Sequence, residues 1–183
     1  MHSICLYCGS RPGARPVYVE TARAFGSALA AAGYRLVYGG GEVGLMGEAA
    51  TAAMAAGGHV TGIIPQHIVD LEIKKGDVSA LFVTETMHER KKLMLYNADA
   101  VVALPGGPGT LDELIEVLTW RQLGLHGKPV VLVNANGYWD PLLALFRHIE
   151  TEGFVEPNVR GYMTVVPDAE AAIGALRGLI EAR

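Results

Sequence analysis

Leu104-Pro105-Gly106-Gly107-Pro108-Gly109-Thr110-Leu111-Asp112-Glu113 joins an apolar run over 100–104 to an amphipathic stretch. An apolar run, three glycines with two prolines, then a helical period read as strand, tight loop and helix. Glycine has no side chain, so such a loop lets backbone N–H groups at a helix N-terminus come close to a phosphate. Asp112 and Glu113 fall in what reads as the first helical turn, where a bare phosphate cradle would not place like charge. The stretch is therefore expected to hold a phosphate and aim a carboxylate at the neighbouring sugar. A plainer reading competes. Thr110 and Glu113 form T-x-x-E, a capping box in which each side chain satisfies a backbone N–H of the helix start, and acids there suit the helix dipole. Capping has no use for three glycines, so the rest of the chain must decide.

Working outward, apolar runs predict strands over 3–7, 34–38, 59–64, 80–84, 100–104, 129–134 and 162–166. Between them, periodicity and start–stop residues predict helices over 16–32, 48–56, 87–97, 111–123, 139–152 and 168–182. Residues 66–77 carry the weakest pattern, a short helix and a mobile loop. Continuous apolar strands alternating with helices mean a sheet covered on both faces. The fold class is α/β: a doubly wound, Rossmann-like, mostly parallel sheet of about seven strands flanked by helices, in one nucleotide-binding domain over 1–183. Ligands in such sheets bind at the carboxyl ends of the strands, where the glycine-rich loops lie.

The 183 residues are half hydrophobic and carry a net charge of −4. That balance argues against a nucleic-acid surface, so an anionic ligand needs a local basic cluster. No apolar run reaches the length of a membrane span, and residues 1–7 lack a basic n-region, so a cytoplasmic protein with no membrane contact is expected. Cys5 and Cys8 are spaced C-x-x-C, but at a strand end rather than a helix start, and the six histidines are dispersed. Structural thiols and no metal site are the expectation.

Residues 39–44 match G-x-G-x-x-G, yet the acid expected about 20 positions on for a dinucleotide is missing, and no Walker motif occurs. Two glycine-rich loops without either signature point to a mononucleotide. Residues 86–94 supply the cations. Arg90 can fork onto a phosphate or carbonyl and Lys91 can act as a point charge, against the alternative of a solvated helix face. Met87 and Met94 suit core filling better than a base surface. On the helix after the opening loop, Leu111, Leu114, Ile115 and Leu118 should face the core. Glu113 and Glu116 would then share another face, with Glu113 at the cleft mouth.

Pro105-Gly106-Gly107-x-Gly109-Thr110-x-x-Glu113, Met87-His88-x-Arg90-Lys91 and Tyr38-Gly39-Gly40-Gly41-x-x-Gly44-Leu45-Met46-Gly47 strongly resemble the LONELY GUY family of cytokinin riboside 5′-monophosphate phosphoribohydrolases. Cys8-Gly9-Ser10, Thr119-Trp120-x-Gln122-Leu123-Gly124 and Lys128-Pro129 resemble the same family, so the likeness covers nearly the whole chain in order. It implies hydrolysis of the N-glycosidic bond of a nucleoside 5′-monophosphate to free base and ribose 5-phosphate. The family's catalytic pair falls on Arg90 and Glu113. Its substrate contacts map to Glu72, Lys91, Thr119 and the loop residues Gly106, Gly107, Pro108, Gly109, Thr110, Leu111 and Asp112, with the motif positions Ser10, Gly40, Gly41 and Met87 expected beside them. The resemblance also implies a homodimer whose partner completes the pocket, and no cofactor. Pro108 stands where many members carry another residue, which removes an N–H from the loop. Asp112 replaces a frequent Glu. The family often carries the label lysine decarboxylase, but nothing here resembles a pyridoxal phosphate site.

Breaking a ribosyl C–N bond builds oxocarbenium-like charge on the sugar. A carboxylate near C1′ stabilises it and can activate water, the role expected of Glu113. Arg90 cannot be the base, because a guanidinium keeps its proton, so it should fix the nucleotide or assist the departing base. Plain and prenylated adenine remain equally open as the base. Two rivals stand beside this: a non-catalytic nucleotide or cofactor carrier or sensor on the same fold, and an interaction module with merely capped helices.

Overall fold

Ser3–Tyr7 forms strand β1, and all five of its side chains are buried. It is the hinge of the topology. This computed structural model describes residues 1–69, 77–155 and 159–182. In chain order β1 is followed by α1 (Pro16–Ala31), β2 (Arg35–Tyr38), α2 (Gly44–Ala55), β3 (Val60–Pro65), the short α3 (Gln66–Val69), β4 (Ala80–Thr84) and α4 (Met87–Tyr96). Then come β5 (Ala100–Ala103), α5 (Pro108–Gln122), β6 (Val130–Val133), α6 (Asp140–Thr151), β7 (Thr164–Val166) and α7 (Ala169–Glu181).

The strands lie in the order β4-β3-β2-β1-β5-β6-β7, and every neighbouring pair is parallel. The chain winds outward from β1 to β4, then returns to lay β5 against the other side of β1. The loops after β1 and β5 therefore leave the same sheet edge in opposite directions, and the gap between them is the topological switch point where ligands bind. Hydrogen bonds tie the edge together. Leu104 N–H donates to the Tyr7 carbonyl (2.9 Å), Gly9 N–H to Pro105 (3.0 Å) and Leu45 N–H to Gly9 (3.0 Å).

Alternate side chains serve opposite faces, as the pleat requires. Ile4, Leu6, Leu36 and Val102 pack under Phe25 and Leu29 of α1 and Leu176 of α7. Cys5, Tyr7, Val37, Val101 and Ala103 pack under Met94 of α4, Leu114 and Leu118 of α5 and Phe146 of α6. Cys5 and Cys8 are free and buried, and burial pushes both thiols well above their ordinary range. That leaves them small core residues rather than thiolates. Among the described residues no helix is long and apolar enough to cross a membrane.

Two helix starts differ from the sequence expectation. α2 begins at Gly44, four residues earlier than periodicity suggested, because Leu45, Gly47, Ala49, Ala50 and Ala53 form one buried face. The T-x-x-E box belongs to α4, not α5. Thr86 is the N-cap of α4, its hydroxyl accepting from Glu89 N–H (3.1 Å) while the Glu89 carboxylate accepts from Thr86 N–H (3.2 Å). At the other end of α4, Lys128 Nζ donates to the carbonyls of Leu95 (2.6 Å) and Ala98 (2.5 Å), so both termini of this ten-residue helix are satisfied by side chains. Thr86→Ala is expected to cost about 1 kcal/mol in urea unfolding, and an unchanged midpoint would show that the box contributes nothing.

Candidate active site

α5 starts inside the glycine loop. Gly107 is its N-cap, in extended geometry with no side-chain cap, and Pro108 occupies the first helical turn. Proline suits that place because its φ is preset and its missing N–H is one the helix could not have used. The capping box read from Thr110 and Glu113 is therefore absent: Thr110 lies within the first turn, Asp112 and Glu113 beyond it. No acid sits in the first turn. Leu111 N–H closes the first helical hydrogen bond onto Gly107 (3.1 Å), so the N–H groups of Gly107, Gly109 and Thr110 precede the helical ladder and face outward for an anion. The loop also closes tightly on itself. A Cβ on Gly106 would overlap the Thr110 hydroxyl.

The frame set by Pro108 turns the helix. Its buried residues are Thr110, Glu113, Leu114, Val117 and Leu118, while Ile115 is 40 % exposed. Ile115 is thus not a core residue, and Glu113 shares the stripe of Leu114 and Val117 instead of standing apart on a solvated face. It occupies the top of that stripe, where the core opens into a cavity of about 200 Å3 lined by Cys8, Ser10, Met46, Ile68, Arg90, Glu113 and residues 107–110.

Arg90 reaches the cavity from α4. Its Nε donates to the Ile63 carbonyl (3.1 Å) and its Nη2 to the Gly39 carbonyl (3.0 Å), so the ends of β2 and β3 hold the guanidinium. A Cβ on Gly39 would occupy the Nη2 position, which gives that glycine a steric reason. The remaining nitrogen, Nη1, lies 3.7 Å from Glu113 Oε1, with each side chain 11 % exposed. That separation is close enough for Coulombic attraction but too long for a hydrogen bond. Burial pushes the Glu113 carboxyl from its ordinary 4.5 up to about 7, with Asp112 and Glu116 adding to the shift and Arg90 and Lys91 opposing it. Near neutrality the group is populated in both forms, as an acid–base catalyst requires.

Arg90, Glu113, Ser10, Gly107, Pro108, Gly109 and Thr110 thus converge on one cavity. Gly106 shapes it from behind. Gly40 and Gly41 are buried at the end of β2, Met87 opens α4 half-buried, and Leu111 packs partly into the core. Lys91 sits elsewhere: its Nζ pairs with Asp112 (2.9 Å) and Glu116 (3.2 Å), tying α4 to α5. Burial pulls the Lys91 pKa down, but the hydrogen bonds to Asp112 and Glu116 outweigh it and the net shift is upward. Thr119 is exposed, three turns along α5, with its hydroxyl on the Ile115 carbonyl (2.8 Å). Glu72 lies outside the described residues. Met46 and Ile68 line the cavity without having been picked out by chemistry; Met46 had a signal in its place after the second glycine loop, Ile68 none. Among the described residues no three His, Cys, Asp or Glu side chains assemble as a metal site.

A family model described as "Possible lysine decarboxylase" matches residues 46–176. The chain is 46 % identical over 176 residues to a cytokinin riboside 5′-monophosphate phosphoribohydrolase of Rhodococcoides fascians, covering 96 % of this chain and 89 % of that one. It is 43 % identical over 173 residues to the enzyme of the same name from Arabidopsis thaliana, covering 94 % and 80 %. Among solved structures it is similar to the molybdenum cofactor carrier protein of Chlamydomonas reinhardtii, with a TM-score of 0.77, 24 % identity and coverage of 100 % and 99 %. At that identity the likeness concerns the fold.

Raising the Glu113 pKa means that the folded state favours the protonated carboxyl, so its contribution is intact below pH 4.5 and lost as pH rises through about 7. The loss amounts to about 3 kcal/mol above pH 8. Glu113→Gln is therefore expected to melt several degrees above the parent at pH 8 and level with it at pH 4. Equal melting temperatures at both values would contradict the burial argument.

Proposed function

The chain belongs to the LONELY GUY family of cytokinin riboside 5′-monophosphate phosphoribohydrolases, and on that premise we propose that it hydrolyses the N-glycosidic bond of adenine-type nucleoside 5′-monophosphates, plain or prenylated, to free base and ribose 5-phosphate. The observation that carries the reading is a buried carboxyl poised near neutrality, 3.7 Å from a fixed guanidinium, beside an uncapped helix N-terminus.

The 5′-phosphate lies on the N–H groups of Gly107, Gly109 and Thr110, with Ser10 alongside. Its binding energy places the ribose in the cavity and C1′ before Glu113. The C1′–N bond breaks with its electron pair leaving on the base. Water delivers hydroxide to C1′ and its other proton ends on the base. Glu113 as carboxylate stabilises the developing positive charge and relays that proton from the water to the departing base, returning to its starting form. Arg90 remains protonated throughout. Two of its nitrogens are committed to backbone carbonyls, so it moves little, and Nη1 holds Glu113 in place and faces the nucleotide.

The same reading puts the protein in the cytoplasm as a homodimer. Phe82 and Val83, both about half exposed on edge strand β4, are apolar surface that a second copy would cover. Sedimentation equilibrium is expected to give the dimer mass; the monomer mass at micromolar concentration would remove this element.

The carrier alternative needs the phosphate site but has no use for a poised acid. Incubation with AMP and with isopentenyladenosine monophosphate should release free base from at least one of them. Glu113→Gln should keep nucleotide affinity while lowering turnover at least about a hundredfold. Nucleotide binding with no base released would favour the carrier, and parental turnover in Glu113→Gln would remove Glu113 from the chemistry.

A further inference from the structure

The turn between β6 and α6 reaches across the sheet edge to the phosphate loop. Tyr138 stands at its tip, and its hydroxyl donates to the Gly106 carbonyl at 2.6 Å. The ring is held edge-on between Tyr18 (centroids 5.5 Å apart, planes at 77°) and Trp139 (4.8 Å, 85°). Trp139 is buried. The turn itself is pinned, with Trp139 N–H donating to Asn134 Oδ1 (2.7 Å) and Asn134 Nδ2 to Asp140 Oδ1 (2.7 Å). Asn136 takes the left-handed φ of 53° that closes it, a conformation Asn tolerates better than most residues.

Tyr138 stands on the flank of the loop that lines a second cavity of about 630 Å3 with Tyr18, Leu45 and Pro105, which holds neither Arg90 nor Glu113 and meets their cavity at Ser10, Gly107 and Pro108. The Gly106 carbonyl therefore points toward that flank. In a trans peptide the C=O and the following N–H point opposite ways, so anchoring this carbonyl directs the Gly107 N–H toward the α5 N-terminus and the catalytic cavity. Gly106 and Gly107 lack side chains, and without an anchor this peptide could rotate at little cost.

We infer that Tyr138 is a positioning residue of the phosphate subsite, fixing the peptide plane between Gly106 and Gly107 so that the Gly107 N–H meets the substrate 5′-phosphate. The inference rests on the phosphate placement proposed above.

The test is calorimetric titration of the full chain and of Tyr138→Phe with AMP, ribose 5-phosphate and adenosine. Tyr138→Phe keeps the ring contacts and should fold as the parent does. Losing one hydrogen bond that organises the loop should weaken AMP and ribose 5-phosphate about three- to tenfold. Adenosine, which has no phosphate, should bind as before, and in turnover the KM for AMP should rise by the same factor with kcat little changed. Equal weakening of AMP and adenosine would reveal a merely structural tyrosine, and unchanged AMP affinity would also overturn the inference. A parent protein that binds AMP no better than adenosine would instead overturn the phosphate site itself, and the role of Tyr138 with it.

Discussion

The constraint on which the structure turns is a guanidinium and a carboxyl held 3.7 Å apart with almost no solvent between them and the core. Taking charge out of water is costly, and mutual attraction alone rarely repays it. Here the carbonyls of Gly39 and Ile63 share the burden by accepting from Arg90. Among the described residues Glu113 accepts no such backbone hydrogen bond, and burial raises its carboxyl to about 7. A group that is uncomfortable as an anion is well suited to exchanging a proton and to welcoming a cationic transition state.

Much of the surrounding sequence keeps these two groups in register. Thr86 and Glu89 start α4 at a defined residue, and Lys128 finishes it. Lys91, next to Arg90, grips Asp112, next to Glu113, so an ion pair between the two helices sets their rotation one residue away from the Arg90–Glu113 pair. Gly39 contributes by having no side chain where the guanidinium must pass. The switch point between β1 and β5 then lays an uncapped helix N-terminus beside the pair. A helix start suited to an anion and a pair suited to acid–base chemistry thus share one crevice at the sheet edge, with different elements supplying each.

Much of this was legible in the sequence. Parallel strands advertise themselves as continuous apolar runs, and both central β1 and edge strand β4 lie where those runs predicted. The pairing of Arg90 with Glu113 came from family resemblance, since no local pattern relates residues on different helices. What misled was the helix frame. T-x-x-E at Thr110 looked like a cap, yet Pro108 had already begun the helix three residues before the expected start, and Glu113 lies inward and Ile115 outward. Lys91, expected as a point charge beside the substrate, also holds Asp112 and Glu116 across an interhelical contact that no local pattern reveals. Tyr138 carried no signal, because its partner is a backbone carbonyl on a different loop.

A double-mutant cycle between Arg90 and Glu113, read as kcat/KM for base release from AMP, tests the central claim most directly. If the two act as one unit, Arg90→Ala in the Glu113→Gln background should cost little beyond the larger single loss. Losses that multiply, as they would for residues serving separate steps at independent places, would contradict the account.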